Sequence, residues 1–134
     1  MSNQNGELML RWYNEVWNND NESAIDEMFH HEGKAHGLGA DAVIGIAGFK
    51  TFYNAFRKDY KQVHVTVDKT LLDGDYAVTL CEVKAIHRAT GKPISFSGTS
   101  IADIRDGKIV TAWNYFDFLS LNIQIGKISP EQLA

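Results

Sequence analysis

The fold is decided by residues 106–126, which read DGKIVTAWNYFDFLSLNIQIG. The Asp106-Gly107 pair is a turn signal of the kind that joins two antiparallel strands, because both residue types tolerate positive φ. The residues after it alternate with a period of two, which is typical of a strand. One face carries Ile109, Thr111, Trp113, Tyr115 and Asp117, and the other carries Val110, Ala112, Asn114, Phe116 and Phe118. A carboxylate at the end of an aromatic face indicates either a backbone cap or a functional site.

The composition is that of one globular domain spanning residues 1–134, since 44% of the residues are hydrophobic. The formal net charge of −4 and the lack of a Lys/Arg cluster argue against nucleic-acid and membrane-surface partners. The sequence shows neither a signal-peptide core nor an apolar run that could span a bilayer. Its one cysteine, Cys81, cannot form an internal disulfide, which fits a reducing compartment. These features predict a cytoplasmic protein.

Three helices are predicted in the first half of the chain. Apolar residues recur at helical spacing over residues 7–18, as at Leu8, Trp12 and Val16, and again over residues 46–60. A shorter helix is predicted over residues 23–29, with Asn21 or Ser23 as its N-cap. Residues 1–6 are polar and are predicted to be frayed, and residues 34–39 indicate a short irregular strand.

The second half of the chain is rich in strands. Alternation begins near residue 63, and further strands are predicted over residues 77–88, 94–104 and 109–118. Residues 119–128 are predicted to form a C-terminal turn or strand. Helices followed by a strand meander indicate an α+β fold. We expect a single cone, in which a curved mixed or antiparallel sheet is wrapped by about three N-terminal helices as a cystatin-like α+β barrel.

A cone of this size is expected to enclose a small apolar pocket that takes an organic ligand. Its predicted wall consists of aromatic side chains from the first helix, the third helix and the last strand. These residues are Tyr13, Trp17, Phe52, Phe56, Trp113 and Tyr115. Tyr13 could also offer its hydroxyl to the ligand, or it could only pack with its tip in water.

Several motifs together resemble the SnoaL-like polyketide cyclases, which belong to the superfamily of nuclear-transport-factor-type and ketosteroid-isomerase-like cone folds. The closing signature is Asp106-Gly-Lys-Ile-x-x-x-Trp113-x-x-x-Asp117, continued by Leu119, Leu121, Gln124 and Gly126. Earlier segments agree with it, namely residues 11–18, Lys34-Ala-His36-Gly, Gly48-Phe-Lys-Thr-Phe, Thr90-Gly91-Lys92 and Phe96-Ser-Gly98. The resemblance covers nearly the whole chain.

The resemblance implies a cofactor-free enzyme that closes a ring by intramolecular aldol condensation, with Asp117 as general acid/base. It also implies that His36 points into the pocket, where it would orient the substrate or stabilise an oxyanion. His87 and Phe96 would line the substrate site. The loop between His87 and Thr90 is shorter than the loop that such cyclases usually carry, which argues against a large polycyclic substrate.

Each catalytic candidate has a structural alternative. An Asp117 that faces the pocket could take a proton from the carbon next to a carbonyl, whereas an Asp117 at a strand end would cap the backbone of residues 118–120. His36 could equally be a half-buried side chain bonded to backbone or water. Asp103 is expected on the face away from Asp117, unless a bulge changes the register. Adjacent His30 and His31 match no recognised ligand spacing, so no metal site is predicted.

Two functions remain open on the sequence. One is a small cyclase/lyase or isomerase that acts on a polyketide-like carbonyl compound through Asp117, without a cofactor. The other is a non-catalytic domain that holds an apolar molecule in the same pocket, because no second acid/base residue is evident beside Asp117. A homodimer through the outer sheet face is expected in either case, since an apolar stripe would otherwise be exposed. The predicted stripe consists of Ile101, Val110, Ala112 and Phe116.

Overall fold

Six strands form one mixed sheet in the computed structural model, which describes residues 4–133. The strands are β1 (Phe29–His36), β2 (Val43–Ile44), β3 (Tyr60–Asp73), β4 (Tyr76–His87), β5 (Pro93–Arg105) and β6 (Lys108–Phe116). The helices are α1 (Gln4–Arg11), which continues as a π-helical segment (Trp12–Asn18), α2 (Ala24–Met28), α3 (Gly45–Asp59) and α4 (Phe118–Gln124), followed by a 3-10 turn (Pro130–Leu133). The predicted α+β class is confirmed.

The strands lie in the order β2-β1-β6-β5-β4-β3. β1 and β6 run parallel, and every other neighbouring pair is antiparallel. The sheet is not closed, because β2 and β3 form its two edges. The expected barrel is therefore an open sheet that carries the helices on one face.

The hairpin between β5 and β6 contains the predicted turn. Asp106 and Gly107 have positive φ angles of 52° and 73°, and Arg105 pairs with Lys108 across this two-residue loop. Positive φ at both loop residues matches the right-handed twist of the flanking strands, which explains why Asp-Gly occupies this position.

A β-bulge follows the turn and changes the orientation of the rest of β6. Ile104 pairs with Ile109, but the next residue of β5, Asp103, pairs with Thr111. One extra residue, Val110, therefore lies in β6. Because side chains alternate with a period of two, the bulge exchanges the two faces of β6 for every residue that follows it.

The first helix changes from α to π geometry at Trp12. A π-helix bonds residue i to i+5, so residues five apart lie one above the other. Trp12 and Trp17 consequently share one side with Tyr13, and all three are buried.

The side-chain amide of Asn18 exchanges hydrogen bonds of 3.0 and 2.6 Å with the backbone of Val65 in β3. These bonds attach the end of the segment to the edge of the sheet.

The third helix, α3, closely follows the prediction for residues 46–60 and packs against the π-helical segment. Trp17 makes edge contacts with Phe52 and Phe56, at ring-centroid distances of 6.3 and 5.7 Å. The Arg57 guanidinium lies over the Trp17 ring and forms a 3.2 Å ion pair with Asp20. The two helices are thus joined at one end of the sheet by aromatic and charged contacts.

The C-terminal segment corrects a prediction. A turn or strand is expected over residues 119–128, but Phe118–Gln124 form the helix α4. The Asp117 carboxylate accepts a 2.9 Å hydrogen bond from the backbone N–H of Ser120 and so caps the first turn. The Gln124 side chain exchanges two hydrogen bonds with the backbone of Ser95 in β5. Capping and this anchor outweigh the alternating apolar pattern of the segment.

The first described residues are more ordered than the sequence predicts. Residues 4–6, predicted to be frayed, belong to α1, whereas residues 1–3 lie outside the described residues. Within residues 4–133, no helix has the length and apolar character needed to cross a membrane.

Candidate functional site

An apolar cavity of about 80 Å³ lies between the helices and the inner face of the sheet. The helices contribute six aromatic side chains to its wall, namely Trp12, Tyr13, Trp17, Phe49, Phe52 and Phe56. The strands and the start of α4 contribute four phenylalanines, namely Phe29, Phe96, Phe116 and Phe118. Pockets for drug-sized ligands measure roughly 300–1,000 Å³. This smaller cavity matches a ligand of about one ring, bound mainly by burial of apolar surface.

Three polar side chains cross the sheet side of the cavity in one row. Thr79 in β4 faces Ser100 in β5, and Ser100 faces Asn114 in β6. Directly opposed side chains on neighbouring strands lie about 5 Å apart, so the row is continuous. Ser100 and Asn114 line the cavity, and Thr79 is fully buried beside it. We call Thr79, Ser100 and Asn114 the polar row.

Tyr13 adds a fourth polar group to this region from the first helix. Its phenol oxygen lies 2.9 Å from Oγ1 of Thr79, and it also interacts with the hydroxyl of Ser100. Burial is the main cause that raises the pKa of Tyr13 far above its usual value. The phenol is therefore neutral at physiological pH, and its O–H can donate a hydrogen bond.

Asn114 presents an acceptor at the end of the polar row. Its Nδ2 donates a 2.9 Å hydrogen bond to the backbone carbonyl of His36, at the end of β1. A carbonyl accepts but cannot donate, so this contact determines which way the amide points. In the described part of the chain, no group donates a hydrogen bond to Asn114 Oδ1, and Asn114 lines the cavity. The cavity thus holds a carbonyl acceptor without a protein donor, next to the hydroxyl of Ser100.

Five predicted wall residues lie where the sequence places them. The cavity is lined by Tyr13, Trp17, Phe52, Phe56 and Phe96. Helical periodicity placed the first four, and the resemblance implied the fifth, Phe96, which lies on the inner face of β5. The structure therefore confirms their position at the cavity, and their role in binding a substrate stays a prediction.

Trp113 and Tyr115 are not in the wall, so the prediction that they line the pocket is wrong. The bulge at Val110 turns both residues to the outer face of the sheet, where Tyr115 is 66% exposed. The same exchange brings Ala112 and Phe116 into the wall, although the sequence places them in an outer apolar stripe.

His36 and His87 also lie outside the cavity wall, in contrast to the expected inward orientation. His36 pairs with Trp113 across β1 and β6, and the two rings stack with centroids 6.1 Å apart on the outer face. The His87 ring contacts Tyr60 at 5.4 Å, and its Nδ1 lies 2.9 Å from Oγ1 of Thr90. Both imidazoles therefore have local contacts away from the cavity.

The Asp117 side chain does not point into the cavity, as a base acting on a bound ligand would need to do. It stands in sequence between two wall residues, Phe116 and Phe118, but its side chain is exposed and caps α4 through Ser120. The cap is the structural alternative that the sequence left open. A catalytic role for Asp117 stays a prediction that this geometry does not by itself support.

Potential metal ligands cluster on β1, away from the cavity wall. Ligand atoms of His30, His31 and Glu32 lie within 4.8 Å of one another. Nδ1 of His30 accepts a 3.0 Å hydrogen bond from the backbone N–H of Glu32, and Nε2 of His31 lies 3.4 Å from the Glu32 carboxylate. These contacts are local and exposed to solvent, and the cavity itself is lined by none of the three residues.

Sequence reasoning missed the polar row. Thr79 and Ser100 carried a readable signal, because each interrupts an alternation that is otherwise small or apolar, as in Ala77-x-Thr79-x-Cys81. The position of Asn114 could not be read in the same way, since its face depends on the bulge at Val110.

The fold and the site together define an α+β protein in which a small apolar cavity with a polar row lies between the helices and an open sheet. The chain belongs to the SnoaL-like polyketide cyclase family, whose model matches residues 7–125. The resemblance stated from the sequence is therefore confirmed. No match was found among curated proteins.

Solved structures share the fold over nearly their whole length. A proposed SnoaL-like polyketide cyclase from Jannaschia sp. CCS1 is 18% identical, with a TM-score of 0.84 and coverage of 93% of each chain. A proposed polyketide cyclase from Bacillus cereus is 27% identical, with a TM-score of 0.81, covering 91% of this chain and 80% of its own. A protein of ketosteroid isomerase-like fold from Catenulispora acidiphila, solved with trimethylamine, is 19% identical, with a TM-score of 0.81 and coverages of 92% and 98%.

Proposed function

We propose that the protein has a cyclase-type activity on a small, largely apolar carbonyl compound that binds in the central cavity. The observation that carries the proposal is the group of hydroxyls from Tyr13, Thr79 and Ser100 inside an aromatic wall. Family membership supports the reaction class. The cavity volume of about 80 Å³ supports a substrate of one ring or its open-chain precursor, and not a polycycle.

The hydroxyls suit the charge that develops during an aldol ring closure. One carbon next to a carbonyl loses a proton and attacks a second carbonyl carbon of the same molecule. The new C–C bond displaces an electron pair onto that carbonyl oxygen, which then takes up a proton. Neutral O–H groups of Tyr13 and Ser100, held in a largely apolar site, would stabilise this oxygen by hydrogen bonding. Removal of one such donor typically lowers kcat by about 10²–10³-fold.

The first step needs a group that accepts the proton from the carbon next to the carbonyl. Asp117 is the candidate from the sequence, and its carboxylate is bound to the backbone of α4 at Ser120. Asp117→Asn tests this role cleanly, because Asn is also a good N-cap but cannot exchange a proton. Loss of turnover with unchanged unfolding would assign Asp117 as the base, and unchanged turnover would leave it as a cap.

A suitable substrate for the first assay is acetonylacetone, a short linear diketone whose internal aldol reaction gives methylcyclopentenone with loss of water. Product formation can be followed by proton NMR. We expect turnover by the wild type, strong loss in Tyr13→Phe, and loss in Ala112→Leu, which fills the cavity from its wall. Thr111→Leu is the control, because it places the same side chain on the opposite face of β6, away from the cavity. Turnover that persists in Ala112→Leu would contradict the proposed site.

A second candidate function is binding without catalysis. It is favoured by the wall itself, where the described lining residues include no carboxylate, imidazole, amine or thiol that could take a proton. The same assay distinguishes the two functions. A carbonyl compound that binds, is recovered unchanged and ignores Asp117→Asn would favour a binding domain.

We also propose that the outer face of the sheet forms a homodimer, with a different set of residues from the predicted stripe. The outer face presents Tyr76, Leu80, Ile101, Trp113 and Tyr115, of which Tyr76, Leu80 and Tyr115 are exposed. Beside them, Glu82 and Lys84 lie 3.8 Å apart. A second copy related by a two-fold axis presents the same apolar patch and can place each charge opposite its counterpart.

A further inference from the structure

Only one of the two polar atoms of the Asn114 side-chain amide forms a hydrogen bond within the described part of the protein. Its Nδ2 is engaged by the His36 carbonyl at 2.9 Å, and its Oδ1 receives no hydrogen bond from the residues that the structure describes. Asn114 is half-buried and lines an aromatic cavity, so its Oδ1 is accessible to a molecule bound there. An apolar ligand that covers Oδ1 would leave it without a hydrogen-bond partner, which is costly, so a ligand that donates a hydrogen bond to it is favoured over an apolar ligand of the same shape.

The neighbouring groups have a different character. The Tyr13 hydroxyl interacts with the hydroxyls of Thr79 and Ser100, and each of the three can both donate and accept. They can therefore adapt to a ligand carbonyl by donating to it. The Asn114 amide cannot adapt in this way, since a flipped amide would place Oδ1 against the His36 carbonyl. This end of the polar row can only accept.

We propose that Asn114 Oδ1 makes the cavity selective for ligands that carry a hydrogen-bond donor, an enol, phenol or alcohol O–H or an N–H. This inference rests on the proposed function, because it assumes that the cavity binds a small apolar ligand. Combined with the hydroxyls at Ser100 and Tyr13, it names the substrate class as a hydroxylated or enolised carbonyl compound. The donor and the carbonyl oxygen would lie about one strand spacing apart, roughly 5 Å.

The test compares phenol and toluene, which have nearly the same shape but differ by an O–H in place of a methyl group. Their Kd values are measured by isothermal titration calorimetry for the wild type, Asn114→Leu and Thr111→Val. The quantity of interest is the ratio of the toluene Kd to the phenol Kd. We expect this ratio to fall by about tenfold or more in Asn114→Leu, because the substitution removes the acceptor that no described protein group occupies. Thr111→Val, on the outer face of the same strand, should leave it unchanged.

The outcomes separate this inference from the function on which it rests. If neither compound binds the wild type, the proposed small-molecule cavity is wrong, and the inference fails with it. If both bind and the ratio is the same in Asn114→Leu, the cavity stands and the role of Asn114 is overturned. Toluene binding to Asn114→Leu also reports that the variant is folded.

A second measurement keeps the inference open to contradiction if Asn114→Leu does not fold. Toluene leaves water for an apolar site more readily than phenol does, since burial of the hydroxyl without a partner is costly. Because Asn114 Oδ1 can accept a hydrogen bond from the ligand, the wild-type protein should bind phenol at least as tightly as toluene. Aniline, which donates through its N–H, should behave like phenol. Wild-type protein that binds toluene tenfold more tightly than both would overturn the inference.

Discussion

The two faces of strand β6 contain similar residue types but differ completely in their surroundings. The inner face places Ala112, Asn114 and Phe116 in the cavity wall. The outer face carries Trp113 and Tyr115, with Tyr115 exposed. Both faces hold aromatic residues, so hydrophobicity does not distinguish them. One inserted residue at the bulge determines which face meets the helices.

The inner face has little tolerance for added volume, and Gly98 shows this most clearly. A Cβ built on Gly98 in β5 would lie 2.4–2.5 Å from atoms of Phe116, including its Cα. Gly98→Ala should therefore lower the free energy of unfolding by about 3 kcal/mol. Ser97→Ala, one residue away on the exposed outer face, should change it by less than about 0.5 kcal/mol. Urea denaturation of both variants measures the contrast, and equal effects would contradict the assignment of the faces.

The outer face should respond to charge instead of volume. The double variant Leu80→Arg/Tyr115→Arg should weaken the proposed dimer by about 100-fold, or about 2.7 kcal/mol, because two arginines from each copy would be desolvated in the interface. Light scattering across a concentration series measures the dimer fraction. Leu119→Arg is the control, since Leu119 is exposed on α4 and not on this face. A wild type that is monomeric at micromolar concentration would contradict the dimer.

Alkaline pH should act on the buried inner tyrosine. Burial raises the pKa of Tyr13, so Tyr13 ionises first in the unfolded chain, near its ordinary value of about 10. Its contribution to stability is complete below this pH and is lost as the pH rises. The loss reaches about 1.4 kcal/mol per pH unit. Burial also raises the pKa of Tyr53, to about 12, so part of the loss should remain in Tyr13→Phe.

The control for this titration is Leu119→Ala on α4, which removes an exposed apolar side chain and leaves every tyrosine in place. Urea unfolding between neutral pH and about pH 11 should give a shallower decline for Tyr13→Phe than for the wild type. Leu119→Ala should follow the slope of the wild type, because it changes no titratable group. A decline in Tyr13→Phe that equals that of the wild type would contradict the buried, neutral state of Tyr13.

The smallest expected effect lies where β6 ends and α4 begins. Asp117→Ala should lower the free energy of unfolding by about 1 kcal/mol, because the backbone N–H of Ser120 loses its cap. Asp117→Asn should stay close to the wild type, since Asn caps helices about as well. Thermal unfolding of both variants measures the difference. Equal losses in both would mean that the charge of Asp117, and not its cap, stabilises this end of the molecule.

The sequence alone determined the class of fold and most of the helical side of the site. Helical periodicity over residues 7–18 and 46–60 placed Tyr13, Trp17, Phe52 and Phe56 on the cavity. These predictions succeed because a helix presents its apolar stripe to the core regardless of which neighbours it finds there. The Asp106-Gly107 turn is equally local, since it depends on the φ angles of two residues.

Only the tertiary structure decided the sheet side of the site and the role of the C-terminal segment. The bulge at Val110 arises in the pairing of β6 with β5, and it moves Asn114 to the cavity and Trp113 to the outer face. The anchor of Gln124 on Ser95 likewise joins positions 29 residues apart and accompanies the helix that replaced the predicted strand. Register and long-range hydrogen bonds depend on which segments pair with each other. The alternation of residues within one strand does not determine its partner strand or the register between them.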